Sequence, residues 1–190
     1  VETQHWLCPI RADKRENGAY YSPSKDIVVL PMKAQFNIGD SPEETYRGGM
    51  EYYSTMLHEM THSTMTPERL NREMGGRFGA PKYAKEELVA ELTAAMISNS
   101  MGVDSKITDN SAAYLDSWIG VLKQEPKFIV SVMADVNKAS DLILDHVDKQ
   151  RLALGEQPYL AKNDPLTPVS ADEEMPFRNA AIVKTRSGDY

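Results

Sequence analysis

Cysteine is almost absent: Cys8 stands alone among 190 residues. That excludes an internal disulfide and any structural zinc site built on several thiolates. Long apolar runs are missing as well. Stretches such as Ile27-Val28-Val29-Leu30 fall far short of the ~20 residues that cross a bilayer, so no membrane segment is expected. Basic residues gather in no long block, and with 21 Lys and Arg against 28 Asp and Glu the formal charge is −7. Such a segment is a poor nucleic-acid binder by itself. The sequence starts at Val1 with neither a methionine nor a basic-then-apolar signal pattern, and it reads as a piece cut from a larger protein of a reducing cytoplasm. What remains is ordinary soluble composition, 41% apolar, enough for one domain with a substantial core.

Histidine is scarce too, four in all, yet two of them lie four apart in His58-Glu59-Met60-Thr61-His62. On a helix, positions i and i+4 stack on one face about one turn apart, so both imidazoles can reach one ion. Zinc is the expected occupant. Glu59 is rotated off the ligand direction, where it can hold a metal-bound water and act as a base without being a ligand. The bland alternative is a surface helix with two solvated histidines. The flanking sequence supports a helix: Ser41 as cap, Pro42 at the first position, and Glu43 and Glu44 complementing the positive end, with Glu44 completing a capping box. Apolar residues then recur at Tyr46, Met50, Tyr53, Met56, Leu57 and Met60, and Thr66-Pro67 ends the run. The histidines fall beside this stripe, hence facing a cleft at the edge of the core. Gly48 and Gly49 weaken the helix and suggest a close neighbour or a bend.

Before this helix, Ala19-Tyr20-Tyr21 and Ile27-Val28-Val29-Leu30 flank a cluster of turn residues and predict a hairpin. It would border the cleft, either as a strand able to pair with an extended peptide or simply as a sheet over the core. After Pro67 a glycine-rich loop is expected, with a short helical turn at Glu68 to Arg72. A second helix is predicted from Lys82 to Met101 with Leu88, Leu92, Ala95 and Met96 inward, and a third from about Ser111 to Lys123. A fourth runs from about Lys127 to Lys149 on a stripe of Phe128, Ile129, Val132, Met133, Val136, Leu142, Ile143 and Val147. His146 beside that stripe reads as structural. Residues 1–150 therefore form the domain, and 151–190, punctuated by Gly, Pro, Asn and Asp, an extended tail or arm.

A catalytic zinc usually takes three protein ligands plus water. His5 precedes the core and His146 lies far along the chain, and no third histidine of the metzincin kind follows His62. The second helix offers carboxylates instead. Glu87 and Glu91 share a face next to Leu88 and Leu92, whereas Glu86 falls on a different side, nearer Ala90 and Thr93. A glutamate ligand from a helix after the histidine helix resembles the gluzincin arrangement, in which an acid one turn later supports a ligand histidine. The resemblance implies Glu87 as third ligand and Glu91 as acceptor for a histidine N–H. The reverse assignment and a merely solvated acidic face are the alternatives.

The ordered series Tyr20-Tyr21-Ser22-Pro23, Tyr52-Tyr53, His58-Glu59-x-x-His62-Ser63, Arg69-Leu70-Asn71-Arg72, Phe78-Gly79, Tyr83-Ala84-x-Glu86-Glu87-Leu88-Val89-Ala90-Glu91-Leu92 and Tyr114-x-x-x-Trp118-x-x-x-Leu122 resembles the zincin-like metallopeptidase domain of ArdC-type antirestriction proteins. Plasmids, phages and conjugative elements carry these. The resemblance spans about Ala19 to Lys149. It implies an α+β, zincin-like fold, mostly helical with a small N-terminal β-sheet bordering the active-site helix, and a bacterial cytoplasmic setting. In such proteins a domain that binds single-stranded DNA often precedes this one. It lies outside this segment, from which no direct nucleic-acid contact is expected.

The expected activity is zinc-dependent hydrolysis of a protein or peptide substrate with one Zn2+. His58, His62 and Glu87 would be ligands and Glu59 the general base and acid, with Tyr83 or Tyr114 as candidate oxyanion donors. The rival expectation is a zinc-stabilised antirestriction module that acts by binding without cutting. Metal-dependent hydrolysis of something other than peptide ranks last, since no nucleotide-binding loop or second metal cluster recommends it.

Overall fold

A computed structural model describes residues 6–37, 39–72, 81–101, 119, 123 and 127–159. The fold is α+β, as expected: among the described residues there are three strands, a short 3-10 helix and three long helices. Strand β1 is Ile10–Arg11, β2 is Tyr20–Ser22 and β3 is Ile27–Val29. The predicted hairpin is present, with β2 antiparallel to β3 and Tyr21 opposite Val28. β1, too short to predict, adds in parallel to the other edge of β3, giving the order β1-β3-β2. Asp26 closes the turn with φ of +45°, a left-handed conformation that aspartate tolerates through local hydrogen bonding.

Helix α1 runs Pro42–Ser63 and begins as its sequence dictates. Ser41 Oγ accepts from the Glu44 backbone N–H at 3.2 Å, and the Glu44 carboxylate returns to the Ser41 N–H at 3.2 Å. Pro42 has no N–H, so two of the three orphan amide donors are thereby answered within one turn. Gly48 is a point of close approach: a β-carbon there would be driven into the Phe36 carbonyl of the 3-10 helix Lys33–Phe36. Gly49, by contrast, faces open space.

The apolar stripe of α1 differs from expectation at its start. Tyr46 is 55% exposed, while Tyr52 is buried, its ring edge-on to Phe36 at 5.4 Å. The 3-10 helix packs on the Tyr52 side and so decides which aromatic is inward. Met56, Leu57 and Met60 are buried as predicted.

Helix α2, Pro81–Ser100, and helix α3, Phe128–Ala153, complete the framework. In α2 the inward face is Glu86, Leu88, Val89, Ala90, Thr93, Ala94 and Ile97, with Met96 exposed. Small residues dominate because α2 lies between α1 and α3 and lets both approach. In α3, Val132, Val136, Ala139, Ser140, Ile143 and Leu144 are inward, and Ile129 and Met133 are turned out. The helix continues past Lys149 to Ala153. Ile10, Tyr21, Val28 and Leu30 share a core with Met56, Leu57 and Met60 of α1, Ala94 and Ile97 of α2, and Ile143 and Leu144 of α3. Val89, Val132 and Val136 centre a smaller cluster between α2 and α3. His146 packs edge-on against Trp6 at 5.1 Å, the structural part read for it.

Residues 64–70 form tight turns instead of the expected helical turn. The glycine-rich loop, most of the predicted third helix and the tail from residue 160 lie outside the described residues. No described helix is long and apolar enough to cross a membrane.

Candidate metal centre

The last two turns of α1 place His58 and His62 on one side, facing the first turns of α2. Their Nε2 atoms stand 3.0 Å apart. Glu87 straddles the pair, Oε2 at 3.6 Å from His58 Nε2 and Oε1 at 3.6 Å from His62 Nε2. Among the described residues these three offer ligand atoms within 4.8 Å of one another, a group able to hold a metal ion.

The donor set suits a small divalent cation. Ligand bonds of ~2.0–2.2 Å at a tetrahedral angle put donor atoms roughly 3.3–3.6 Å apart; the two ring nitrogens are 3.0 Å apart and each has one Glu87 oxygen at 3.6 Å, Oε2 for His58 and Oε1 for His62. Two neutral imidazoles and one carboxylate also leave a fourth position for water.

The outer nitrogens are directed at further carboxylates. His58 Nδ1 lies 3.4 Å from Glu91 Oε1, and His62 Nδ1 lies 3.3 Å from Glu86 Oε1. A ligand histidine held by its second nitrogen has its tautomer and ring plane fixed. Burial works against charge on His58, but the carboxylates of Glu87 and Glu91 outweigh it and lift the pKa to about 10. Glu87 is lowered for the matching reason: burial opposes ionisation, and the bond to His58, the charge of His62 and a hydrogen bond from Tyr83 overcome it.

Glu86 lies on the side of α2 expected for it, nearer Ala90 and Thr93, but it has a part in the centre that the sequence reading did not assign. The side of α2 bearing Ala90 and Thr93 is the side packed against α1, so Glu86 is buried behind His62, only 4% exposed. Its countercharge is Arg72, whose Nη2 donates to Oε1 at 2.7 Å and Nε to Oε2 at 2.9 Å. Burial pushes the Glu86 carboxyl up, and the Arg72 hydrogen bonds together with His62 bring it below the usual range. The run Glu86, Ala90, Thr93, Ile97 at spacings of four, three and four carried the signal: small residues at helical period mark a helix–helix contact.

Glu59 is buried at 8% exposure and accepts the backbone N–H of Tyr21 on β2. Burial raises its carboxyl above the ordinary range, with His62 and His58 pulling the other way. The sheet thus borders the histidine helix through a direct bond to Glu59. Tyr83 has its hydroxyl on Glu87. Tyr114 and His5 lie outside the described residues.

A small sheet whose edge strand lies along an H-E-x-x-H helix, with a second helix turning a glutamate toward both histidines, is the layout of a zincin. The chain belongs to the zincin-like metallopeptidase family MPTase-PolyVal, which it matches over residues 4–135. Among known proteins it is 38% identical over 132 residues to a DNA primase TraC of Escherichia coli, covering 70% of this chain and 11% of the primase. It is 33% identical over 140 residues to the uncharacterized protein y4eC of Sinorhizobium fredii, covering 73% of this chain and 42% of that protein. Among solved structures it is similar to the antirestriction protein ArdC of plasmid R388. The Mn(II)-bound form has a TM-score of 0.59 at 34% identity over 74% of this chain and 48% of ArdC. The metal-free form has a TM-score of 0.56, covering 79% of this chain. The chain therefore spans about half of ArdC and a small part of the primase.

Proposed function

We propose that this domain is a zinc-dependent metallopeptidase, with His58, His62 and Glu87 as ligands and Glu59 as the catalytic acid and base. The single observation that carries this reading is the convergence of three ligand atoms within 4.8 Å, directly beside a buried glutamate that is not one of them. When bound, the ion would supply Lewis-acid polarisation of a scissile carbonyl and lower the pKa of water toward ~7. Glu59 then takes a proton from water and delivers it to the leaving amine, with its carboxylate held in place by the Tyr21 N–H. Glu91 and Glu86 orient the two imidazoles from behind. Tyr83, whose hydroxyl donates to Glu87 in this structure, is the described candidate for a donor to the developing oxyanion once that proton turns from Glu87 to the substrate.

The substrate is then a protein or peptide, and the likeness to ArdC supports placing the protein among antirestriction proteins of mobile elements. The metal-bound form of ArdC holds Mn(II), so manganese is a second ion worth supplying. The test is a Glu59→Gln variant assayed for zinc content and for cleavage of a mixed peptide library. Zinc should stay at the parent level while hydrolysis falls by ~10²–10⁴-fold. A variant that cleaves as fast as the parent removes the mechanism. Zinc uptake without cleavage in the parent favours a module that acts by binding.

A further inference from the structure

We propose that Arg72 is a positioning residue for the metal centre, acting through Glu86 to fix the ring of His62. The proposal rests on the ligand assignment above and extends it to a residue from the loop after α1.

Arg72 and Glu86 form a buried pair, their side chains 6% and 5% exposed. The guanidinium grips both carboxylate oxygens, at 2.7 and 2.9 Å. Its other contacts return to the end of α1: Nη1 donates to Thr64 Oγ1 at 2.7 Å and Nη2 to the Thr61 carbonyl at 2.9 Å. The Arg72 backbone is pinned in turn, its N–H donating to the Met65 carbonyl at 3.0 Å. One planar fork thus joins the turn that carries His62 to the helix that carries Glu86.

The consequence falls on His62. With the fork fixing the carboxylate plane, Glu86 Oε1 presents its remaining acceptor direction to His62 Nδ1 at 3.3 Å. The proton then belongs on Nδ1, and the Nε2 lone pair faces the point shared with His58 Nε2 and Glu87 Oε1, at 3.0 and 3.6 Å. The two histidines are supported unequally. Glu91, behind His58, is 22% exposed, whereas the carboxylate behind His62 is sealed in by arginine. Lysine cannot replace this grip, because a point ammonium has no bidentate fork.

The test is a double-mutant cycle on the full 190-residue chain, comparing the parent with Arg72→Lys, Glu86→Gln and the double variant. Zinc dissociation constants come from competition with a chromophoric chelator. The His62 tautomer comes from ring 15N shifts of the chelator-treated protein. A glutamine offers one acceptor oxygen where the carboxylate serves fork and ring with two. Each single change should weaken zinc binding by ~10–100-fold and disturb the Nδ1–H pattern of His62. The double variant should be no weaker than the worse single, because both changes act through one contact. Additive losses with an unchanged His62 tautomer would overturn the proposal, leaving Arg72 as a brace for Thr61 and Thr64. If Arg72→Lys does not fold, Glu86→Gln decides: parent-like affinity and tautomer overturn the proposal. A parent that takes up no zinc defeats the ligand assignment and this extension together. A parent that binds zinc and cleaves peptide beside an unaffected Glu86→Gln defeats only the extension.

Discussion

His58 Nε2 and His62 Nε2 face each other at 3.0 Å, and each ring turns its Nδ1 toward a different carboxylate, Glu91 or Glu86. Two ring nitrogens that close, with both outer nitrogens directed at acceptors, point two lone pairs at one spot. Only a shared proton or a cation relieves that arrangement. A divalent ion that binds the folded chain stabilises it by RT ln(1 + [L]/Kd), about 2.7 kcal/mol at a hundredfold excess over Kd. For a chain of this size that is a rise in melting temperature of roughly 5–10 °C. Thermal unfolding in chelator and in saturating zinc should show the rise in the parent and lose it in His62→Ala. Coincident parent curves would count against a metal centre.

Glu87 and Glu91 occupy different places in the same cluster, so their amide variants should behave differently. Glu87 reaches both Nε2 atoms at 3.6 Å, while Glu91 lies against the outer nitrogen of His58 at 3.4 Å. Glu87→Gln removes the sole anionic donor from the triad and should leave protein that retains no zinc after dialysis, by elemental analysis. Glu91→Gln should retain zinc but bind it ~10–100-fold more weakly. Full zinc occupancy in the Glu87 variant sinks the assignment.

Gly48 and Gly49 are neighbours whose substitution by alanine should have opposite signs. At Gly48 the new methyl meets the Phe36 carbonyl, a backbone atom that cannot swing aside. The cost of such overpacking is typically ~1–3 kcal/mol. At Gly49 nothing lies within 4 Å, and alanine in a helix interior is favoured by roughly 0.5–1 kcal/mol. Denaturant melts of both variants check this. Two shifts of the same sign would show that the 3-10 helix does not press on α1 as described.

Much of the centre was legible because its signals are local. The cap at Ser41, the four-residue histidine spacing and the Glu87/Glu91 face are all set within one or two helical turns; the structure shows the cap in place and brings His58, His62, Glu87 and Glu91 into one cluster. For Glu86 the helix marks only the face, through the run with Ala90, Thr93 and Ile97, and not the part the carboxylate plays there. A carboxylate on a stripe with Ala90 and Thr93 reads as solvated until a counterion is known, and that counterion is Arg72, fourteen positions away in a loop. Tyr46, expected inward, is exposed and Tyr52, outside the expected stripe, is buried for a similar reason: the packing of Phe36 from outside the helix decided which aromatic was buried. Local period says that a helix has a face, but a neighbour determines where that face begins.

The hairpin is tied to the loop after α1 by Asp26, and this tie should be visible in the pH dependence of stability. Arg69 donates to Asp26 Oδ1 at 2.9 Å and to Oδ2 at 2.7 Å, and the Tyr21 hydroxyl donates to Oδ1 at 2.8 Å. Burial alone would raise the Asp26 carboxyl, but the hydrogen bonds from Arg69 and Tyr21 prevail and hold it below its ordinary value. A depressed folded pKa adds stability that is fully present above the unfolded value of ~3.9 and is lost as pH falls through the folded value. Asp26→Asn keeps a residue that tolerates the positive φ of the turn, so it removes charge with little change to the backbone. The Asp26 side chain is 47% exposed, and with solvent screening the difference at pH 7 should be no more than about 1 kcal/mol. Urea melts from pH 7 to pH 3 should show parent and variant separated at neutral pH and converging below pH ~4. A gap that persists unchanged at pH 3 would mean that Asp26 holds the turn by shape, with no contribution from its charge.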